Sequence, residues 1–510
     1  MSRSRRLRRA PPIMRTVTLR SELPRKVVHI GMGAFALGLR WLAPWQALIM
    51  ASAALILNSF FLHDITRGAL LRPEERASRF SRGVVLYPAV LLLTFVVFSS
   101  RLELAAGIWA LLAVGDGMAA LAGLALGGPR LPWNPKKTWS GFVAFVLVGG
   151  SACAWAIRWV QRAGILTLGP GLTRDGLLTF GQSDPSGRIG ESFLMGGPLG
   201  GSGVGGGAGA GPEAEVLFLV IGCFLAATAA ASGESLETQV DDNVLVPLIG
   251  GAVLWLATLV DPGLAALGAA SGASPGAWVT GFAIAAPIAL VAYFARAVDR
   301  AGAVAGVVLA VVLYVYAVWP GLVMMGGLMV IGTGVTRMGY ARKEAAGVAE
   351  GRGGRRGIGS VATNSGAGVA FAFLAAATPY SEAFTLAMVA AFSTSLFDTA
   401  ATEFGQAFGR RHLLVTTWRS VPEGTTGAVS LEGTLAGVCC ATALAGAGWA
   451  MGLVTGFGSL AVVVGAFAGS TIESFLGGMM GSGSPSDHHL RNLANTVAGA
   501  GVAVGLVSLL

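Results

Sequence analysis

Polar residues gather between long apolar blocks and do not alternate with apolar residues inside them. About fifteen such blocks are long enough to cross a bilayer as a helix. They lie near 27–43, 46–63, 83–99, 103–126, 141–160, 214–235, 244–260 and 277–295. The rest lie near 302–318, 321–337, 360–378, 382–404, 430–452, 456–478 and 493–510. This pattern predicts an all-α polytopic membrane protein. Basic residues fall in alternate connections. They occupy the first 26 residues, the loop from Arg67 to Arg82, the loop of Arg130, Lys136 and Lys137, the stretch Arg337–Arg356, and the loop of Arg410, Arg411 and Arg419. Positive charge is retained on the cytoplasmic side, so the N-terminus and all of these connections are expected there. The setting implied is a bacterial-type cytoplasmic membrane. No short apolar core with a cleavage site follows the basic arm, so no signal peptide is expected.

One segment breaks the rhythm. Residues 163–212 end in a run of glycines and read as a dispensable extracytoplasmic insertion. Gly201, Gly203 and Gly206 match GxGxxG, but no strand precedes them, so no nucleotide loop is expected.

Composition agrees with the membrane reading. Of 510 residues, 54% are hydrophobic and 12% charged, where a soluble domain carries about a quarter charged. The 76 glycines lie mostly inside apolar blocks, as close helix packing requires. The net charge of +9 resides in the loops and does not indicate nucleic-acid binding. Cys153, Cys223, Cys439 and Cys440 lack CxxC spacing and read as small hydrophobes rather than a zinc or disulfide framework.

Within this apolar background Asp116 is conspicuous, because a carboxylate inside a span costs several kcal/mol and is a functional candidate by default. Ala119, Gly123 and Gly127 follow it at helical spacing and form a smooth packing face. The second half repeats the pattern. Asp398, Ala401, Gly405 and Gly409 match Asp116, Ala119, Gly123 and Gly127. Each Asp is followed by a basic loop and later by Glu-Ser, at Glu234-Ser235 and Glu473-Ser474. Removing the insertion brings the halves into register. Two parallel seven-helix repeats then require one extra crossing between them, which span 277–295 supplies. The expected division is a basic arm (1–26), a first membrane domain (27–262), a linker helix (277–295) and a second membrane domain (300–510).

The polar groups of the first half converge on one side. Glu22, Arg25, Lys26 and His29 share one face of the first helix. Asp116 comes from the fourth span, Lys136 and Lys137 from the next loop, and Glu234, Asp241, Asp242 and Asn243 from the end of the sixth. Carboxylates suit Mg²⁺ and the cations suit phosphates, together the parts phosphoryl transfer needs. Each cation alone could equally be an interfacial anchor. His488 and His489 read as a hydrophilic loop.

These residues carry two resemblances. Glu22-x-x-Arg25-Lys26-x-x-His29, Gly115-Asp116-Gly117 with Gly123 and Gly127, Lys137-Thr138-x-x-Gly141, and Glu234 with Asp241-Asp242-Asn243-x-x-Val246-Pro247 resemble the phytol kinase and dolichol kinase family. Residues from about 300 onward resemble the family containing the phytyl-phosphate kinase of the tocopherol pathway. The carriers there are Gly354-Arg355 with Val361 and Asn364, Asp398-Thr399-x-Ala401-Thr402-Glu403-x-Gly405, and Val421-x-x-Gly424-Thr425-x-Gly427, followed by Glu473-Ser474, Asn492 and Asn495. Glu473 stands where that pattern has Asp.

The resemblances imply a fused pair of kinases in the lipid bilayer. An isoprenoid alcohol would pass to its monophosphate and then its diphosphate, with CTP or another nucleoside triphosphate as donor and Mg²⁺ as cofactor. Asp116, Asp398, Lys137 and His29 would be catalytic. Glu234, Asp241, Asp242, Glu403 and Glu473 would join the two aspartates in holding metal. Arg25, Lys26, Lys136, Asn243, Arg355, Asn364, Arg419, Thr425, Asn492 and Asn495 would bind nucleotide or phosphate. A transporter with parallel repeats and a CTP-dependent lipid cytidylyltransferase remain alternatives.

Overall fold

The computed structural model describes residues 19–61, 82–161, 212–265, 274–349 and 351–509. The basic arm through residue 18, the arginines from Arg67 to Arg79, and the glycine-rich insertion lie outside the described residues. All fifteen predicted stretches overlap helix. By length and composition, twelve helices among the described residues can cross a membrane, and the shorter Gly83–Val97 is also apolar.

The chain forms two compact units. The first contains α1 (Leu19–Met32, tightening into a 3₁₀ turn through Arg40), α2 (Pro44–Ile56), α3 (Arg82–Val97), α4 (Leu102–Ala125) and α5 (Trp139–Gln161). It also takes most of α6 (Pro212–Ser235) and α7 (Asp242–Leu259). The second contains α8 (Pro275–Phe294), α9 (Arg300–Arg337), α10 (Ile358–Ala377), α11 (Ser381–Phe408), α12 (Leu431–Ala450), α13 (Gly456–Met480) and α14 (Pro485–Ser508). The expected linker helix is α8, which packs against α9 within the second unit.

The Asp-bearing helices are the central ones. Of the 18-residue apolar stretch within each, 78% in α4 and 83% in α11 is buried, and no other candidate span exceeds 44%. A helix surrounded by protein can carry a carboxylate that lipid would not tolerate.

Two small antiparallel hairpins depart from the all-helical expectation. β1 (Arg130–Leu131) pairs with β2 (Asn134–Thr138), and β3 (Leu413–Leu414) pairs with β4 (Ala428–Val429). Each follows an Asp helix and ends at a hydroxyl that caps the next helix. Thr138 Oγ1 accepts from Gly141 N at 3.2 Å, and Ser430 Oγ accepts from Gly433 N at 3.1 Å. At these caps the backbones touch. A Cβ on Gly141 would lie 2.8 Å from the Ala119 carbonyl, and one on Gly433 would clash with the Ala401 carbonyl. The small residues after each Asp thus seat the following helix against the Asp helix.

α9 is not one straight rod. Val318 has φ 51 and ψ −148 and is followed by Pro320. Gly302 and Gly332 both abut Arg356, on its carbonyl and its guanidinium respectively. A straight helix would separate those glycines by about 45 Å, so the two limbs fold back beside each other. This fold-back gives the two spans expected at 302–318 and 321–337.

Candidate active site

In the first unit, Asp116 begins a new stretch of α4 after a π turn over Leu111–Gly115. Asp116 N bonds to Leu111 O, five residues back. The Leu112 carbonyl, the ordinary partner of that N–H, accepts from His29 Nε2 at 3.0 Å. The π turn faces a second one in α5 (Phe145–Gly149), where a Cβ on Gly149 would lie 2.9 Å from Gly115 Cα. Such turns recur at functional sites because they redirect side chains within a helix.

Two side chains from α1 meet Asp116. Lys26 Nζ lies 2.8 Å from Asp116 Oδ2 and His29 Nε2 lies 3.2 Å from the same oxygen. Both groups facing His29 Nε2 are acceptors, so that nitrogen carries the proton. The His29 ring rests edge-on against Tyr87 at 5.1 Å, and the Tyr87 hydroxyl accepts from Trp109 Nε1 at 2.8 Å. This buried chain fixes the imidazole.

Lys137 arrives on β2 and forms an ion pair with Glu234, with Asp242 Oδ2 at 3.7 Å. Burial works against the Lys137 charge, but Glu234 and Asp242 outweigh it and raise its pKa above the ordinary amine value. The hairpin is pinned to the end of α6. Trp133 Nε1 donates to Ser235 Oγ and Asn134 Nδ2 donates to Ser235 O, each at 3.0 Å. Asn134 Oδ1 also accepts from Lys136 N at 3.0 Å. Carboxylate oxygens of Asp116, Glu234 and Asp242, from three helices, lie within 4.8 Å of one another. Exposure rises from 7% at the Glu234 side chain and 11% at Asp116 to 43% at Asp242, so the cluster opens on the Asp242 side.

Other expected residues stand elsewhere. Asp241 turns inward on its own loop, accepting from Asn243 N at 2.9 Å and Asn243 Nδ2 at 2.8 Å. Lys136 projects from the exposed face of the hairpin. The Arg25 side chain lies outside the described residues. Trp133, Asn134, Tyr87 and Trp109 were not anticipated. Asn134→Ala should therefore displace Lys137. We expect a stability loss of about 1–3 kcal/mol from the orphaned Ser235 carbonyl, read as the thermal midpoint in detergent.

The second unit holds a polar pocket between α11, α13, α14 and the β3–β4 hairpin. Asp398, Glu473, His412, Thr425, Ser474 and Arg491 line it. Asp398 Oδ1 accepts from Ser470 Oγ at 3.3 Å, and Glu473 Oε1 lies 3.0 Å from Arg491 Nε. Gly427, at φ 80, brings the hairpin so close to α13 that a Cβ there would strike Ser474 O and Gly478 N. Asn364 Oδ1 accepts from Asn492 Nδ2 at 3.2 Å. The buried Asn492 Oδ1, Asn495 Oδ1 and Arg491 Nη1 have no hydrogen-bond partner among the described residues.

Glu403 does not join this pocket. Its carboxylate pairs with Lys343, which is fully buried and also donates to Thr336 O at 2.7 Å. Arg355 and the exposed Arg419 are not among the pocket's lining residues. His488 and His489 are not loop residues. They sit in the first turns of α14, whose capping box at Ser484 and Asp487 starts the helix earlier than expected, and His488 lines the pocket.

Residues 283–502 match the family described as Integral membrane protein DUF92. The membrane protein sll0875 of Synechocystis is 39% identical over 204 residues, covering 39% of this chain and 78% of that relative. The chain belongs to the DUF92 family. It is an integral membrane protein. Protein VTE6, chloroplastic, of Arabidopsis thaliana is 43% identical over 139 residues, or 26% of this chain and 42% of its own length. Probable phytol kinase 2, chloroplastic, of Glycine max is 29% identical over 155 residues, or 29% of this DUF92 chain and 50% of its own length. The chain therefore spans half or less of these two relatives. No solved structure matches.

Proposed function

We propose that the chain is a membrane kinase acting on isoprenoid alcohols and their monophosphates, one step in each unit. The observation that carries this reading is the braced carboxylate cluster of Asp116, Glu234 and Asp242, with Lys26, His29 and Lys137 around it. Three convergent carboxylate oxygens are the hard donor set that Mg²⁺ takes while keeping substrate phosphates in its shell. These residues would hold the ion, whose chemistry is to neutralise charge on the phosphate chain.

The protein's own groups do the positioning. Lys26 and His29 both bind Asp116 Oδ2, which leaves Oδ1 for a ligand. Lys137, a fixed cation at the opening, suits the incoming phosphates. Phosphoryl transfer rests mainly on such placement and electrostatics. In the second unit Asp398 and Glu473 would play the carboxylate part, with Arg491 beside the transferred group. The relatives named phytol kinase support an isoprenoid substrate and a kinase reaction, and CTP is the donor we expect.

The test is incubation of the purified protein with γ-labelled CTP or ATP, Mg²⁺ and a panel of prenyl alcohols. Label should appear first in prenyl monophosphate and then in diphosphate. Release of pyrophosphate with a CDP-lipid would identify a cytidylyltransferase instead, and no labelled lipid from any alcohol would reject the kinase reading.

A further inference from the structure

A second cavity in the second unit is chemically unlike the polar pocket. It is an open groove between α8, the two limbs of α9, and the start of α10. Ile288, Leu322, Met325 and Met329 line its apolar sides, and Arg356, Ser360 and Asn364 line the α10 side. The wall formed by the first limb of α9 is notched by Gly302, Ala303, Gly306 and Ala310.

Glycines in membrane helices usually allow two helices to touch. Gly302 and Gly332 do so here, against Arg356, and Gly327 packs against Leu444. Gly306 and Gly326 behave differently. A Cβ at either position meets nothing within 4 Å, although both line the groove. They hold a space open rather than closing one.

The polar end of this space stands one hydrogen bond from the residues of the carboxylate pocket. Asn364, on the groove wall, accepts from Asn492, whose chain neighbour Arg491 lines the pocket with Asp398 and Glu473. An occupant would therefore be apolar and branched along the notched wall, with an anionic group at the end near Arg356, Asn364 and Arg491. We infer that the groove between α8, α9 and α10 binds the isoprenoid chain of a prenyl monophosphate, with its phosphate directed toward the Asp398–Glu473 pocket. This inference rests on the proposed second kinase step. It adds that chain length is read by α9.

Gly306→Phe and Gly326→Phe, on opposite limbs of α9, test it, since each added Cβ has room and the ring would fill the groove. For geranylgeranyl monophosphate, KM should rise roughly tenfold or more, the discrimination a blocked apolar subsite produces. For dimethylallyl monophosphate and for nucleotide, KM should stay unchanged. An unchanged long-chain KM in two folded variants overturns the groove assignment while leaving the kinase reading standing.

A diazirine-tipped geranylgeranyl monophosphate tests binding without catalysis. Label on the Met325–Met329 peptide that is lost in Gly326→Phe supports the groove, even if the wild-type protein phosphorylates no prenyl phosphate. Label spread over many helices, or displaced equally by excess phosphatidylglycerol, overturns it and marks the groove as a site for bulk lipid.

Discussion

Asp116→Asn is expected to lower the proposed phosphorylation of a prenyl alcohol by about 10² to 10³ or more, while prenyl monophosphate supplied from outside should still be converted to diphosphate. Asp398→Asn should do the reverse, so that monophosphate accumulates. Asn keeps the shape of Asp but loses the charge that binds a divalent cation. In Asp116→Asn it also leaves Lys26 and His29 facing a neutral amide. Each Asp lies in a separate unit with its own partners, so each loss should be confined to one reaction. The check is product chromatography with each substrate, after solubilised yield has been matched to wild type. Loss of both reactions in one folded variant would mean a single shared site, and retention of both would reduce the aspartates to structural residues.

The second large effect is on stability. Lys343→Met should destabilise the protein by about 3–5 kcal/mol, because it leaves the Glu403 carboxylate buried without its counter-ion. The double variant Lys343→Met with Glu403→Met should recover most of that loss, as apolar replacement of a buried pair commonly does. Thermal midpoints in detergent measure both. Glu403→Gln should leave the Mg²⁺ dependence of either phosphorylation unchanged. A shifted Mg²⁺ requirement would return Glu403 to the metal-binding role its place in the motif suggests.

Glu403 illustrates where sequence reading runs out. Asp116, Glu234 and Asp242 were legible because carboxylates in or beside apolar blocks are costly, and each block end was marked by charge. Lys343 was hidden among the basic residues between Arg337 and Arg356, where a lysine looks solvated. Only packing of the short helix Tyr340–Ala345 against α11 buries it. Trp133 and Asn134 were passed over for a similar reason. Trp-Asn in a polar loop has no periodicity, and its role depends on the end of α6 about a hundred residues away. Arg491 left a usable trace, since it is the one lysine or arginine in the mostly apolar α14. The spans themselves were legible from length and hydropathy, because a helix in lipid must satisfy its backbone internally. The hairpins β1–β2 and β3–β4 were too short to leave an alternating pattern.

The reversal at Val318 bears on how this segment enters the bilayer during synthesis. Between Arg300 and Arg337 there is no charged residue. Because the limbs fold back, Arg300 and Arg337 stand at one end of the hairpin and the Val318-Trp319-Pro320 tip at the other; on the expected topology only the tip has to cross. The segment can partition as a preformed helical hairpin without translocating a charge, and the flanking arginines oppose its passing through in either direction. An arginine placed at the tip, as in Trp319→Arg, would be the first charge forced across, and the expected consequence is a hairpin that stalls outside the membrane.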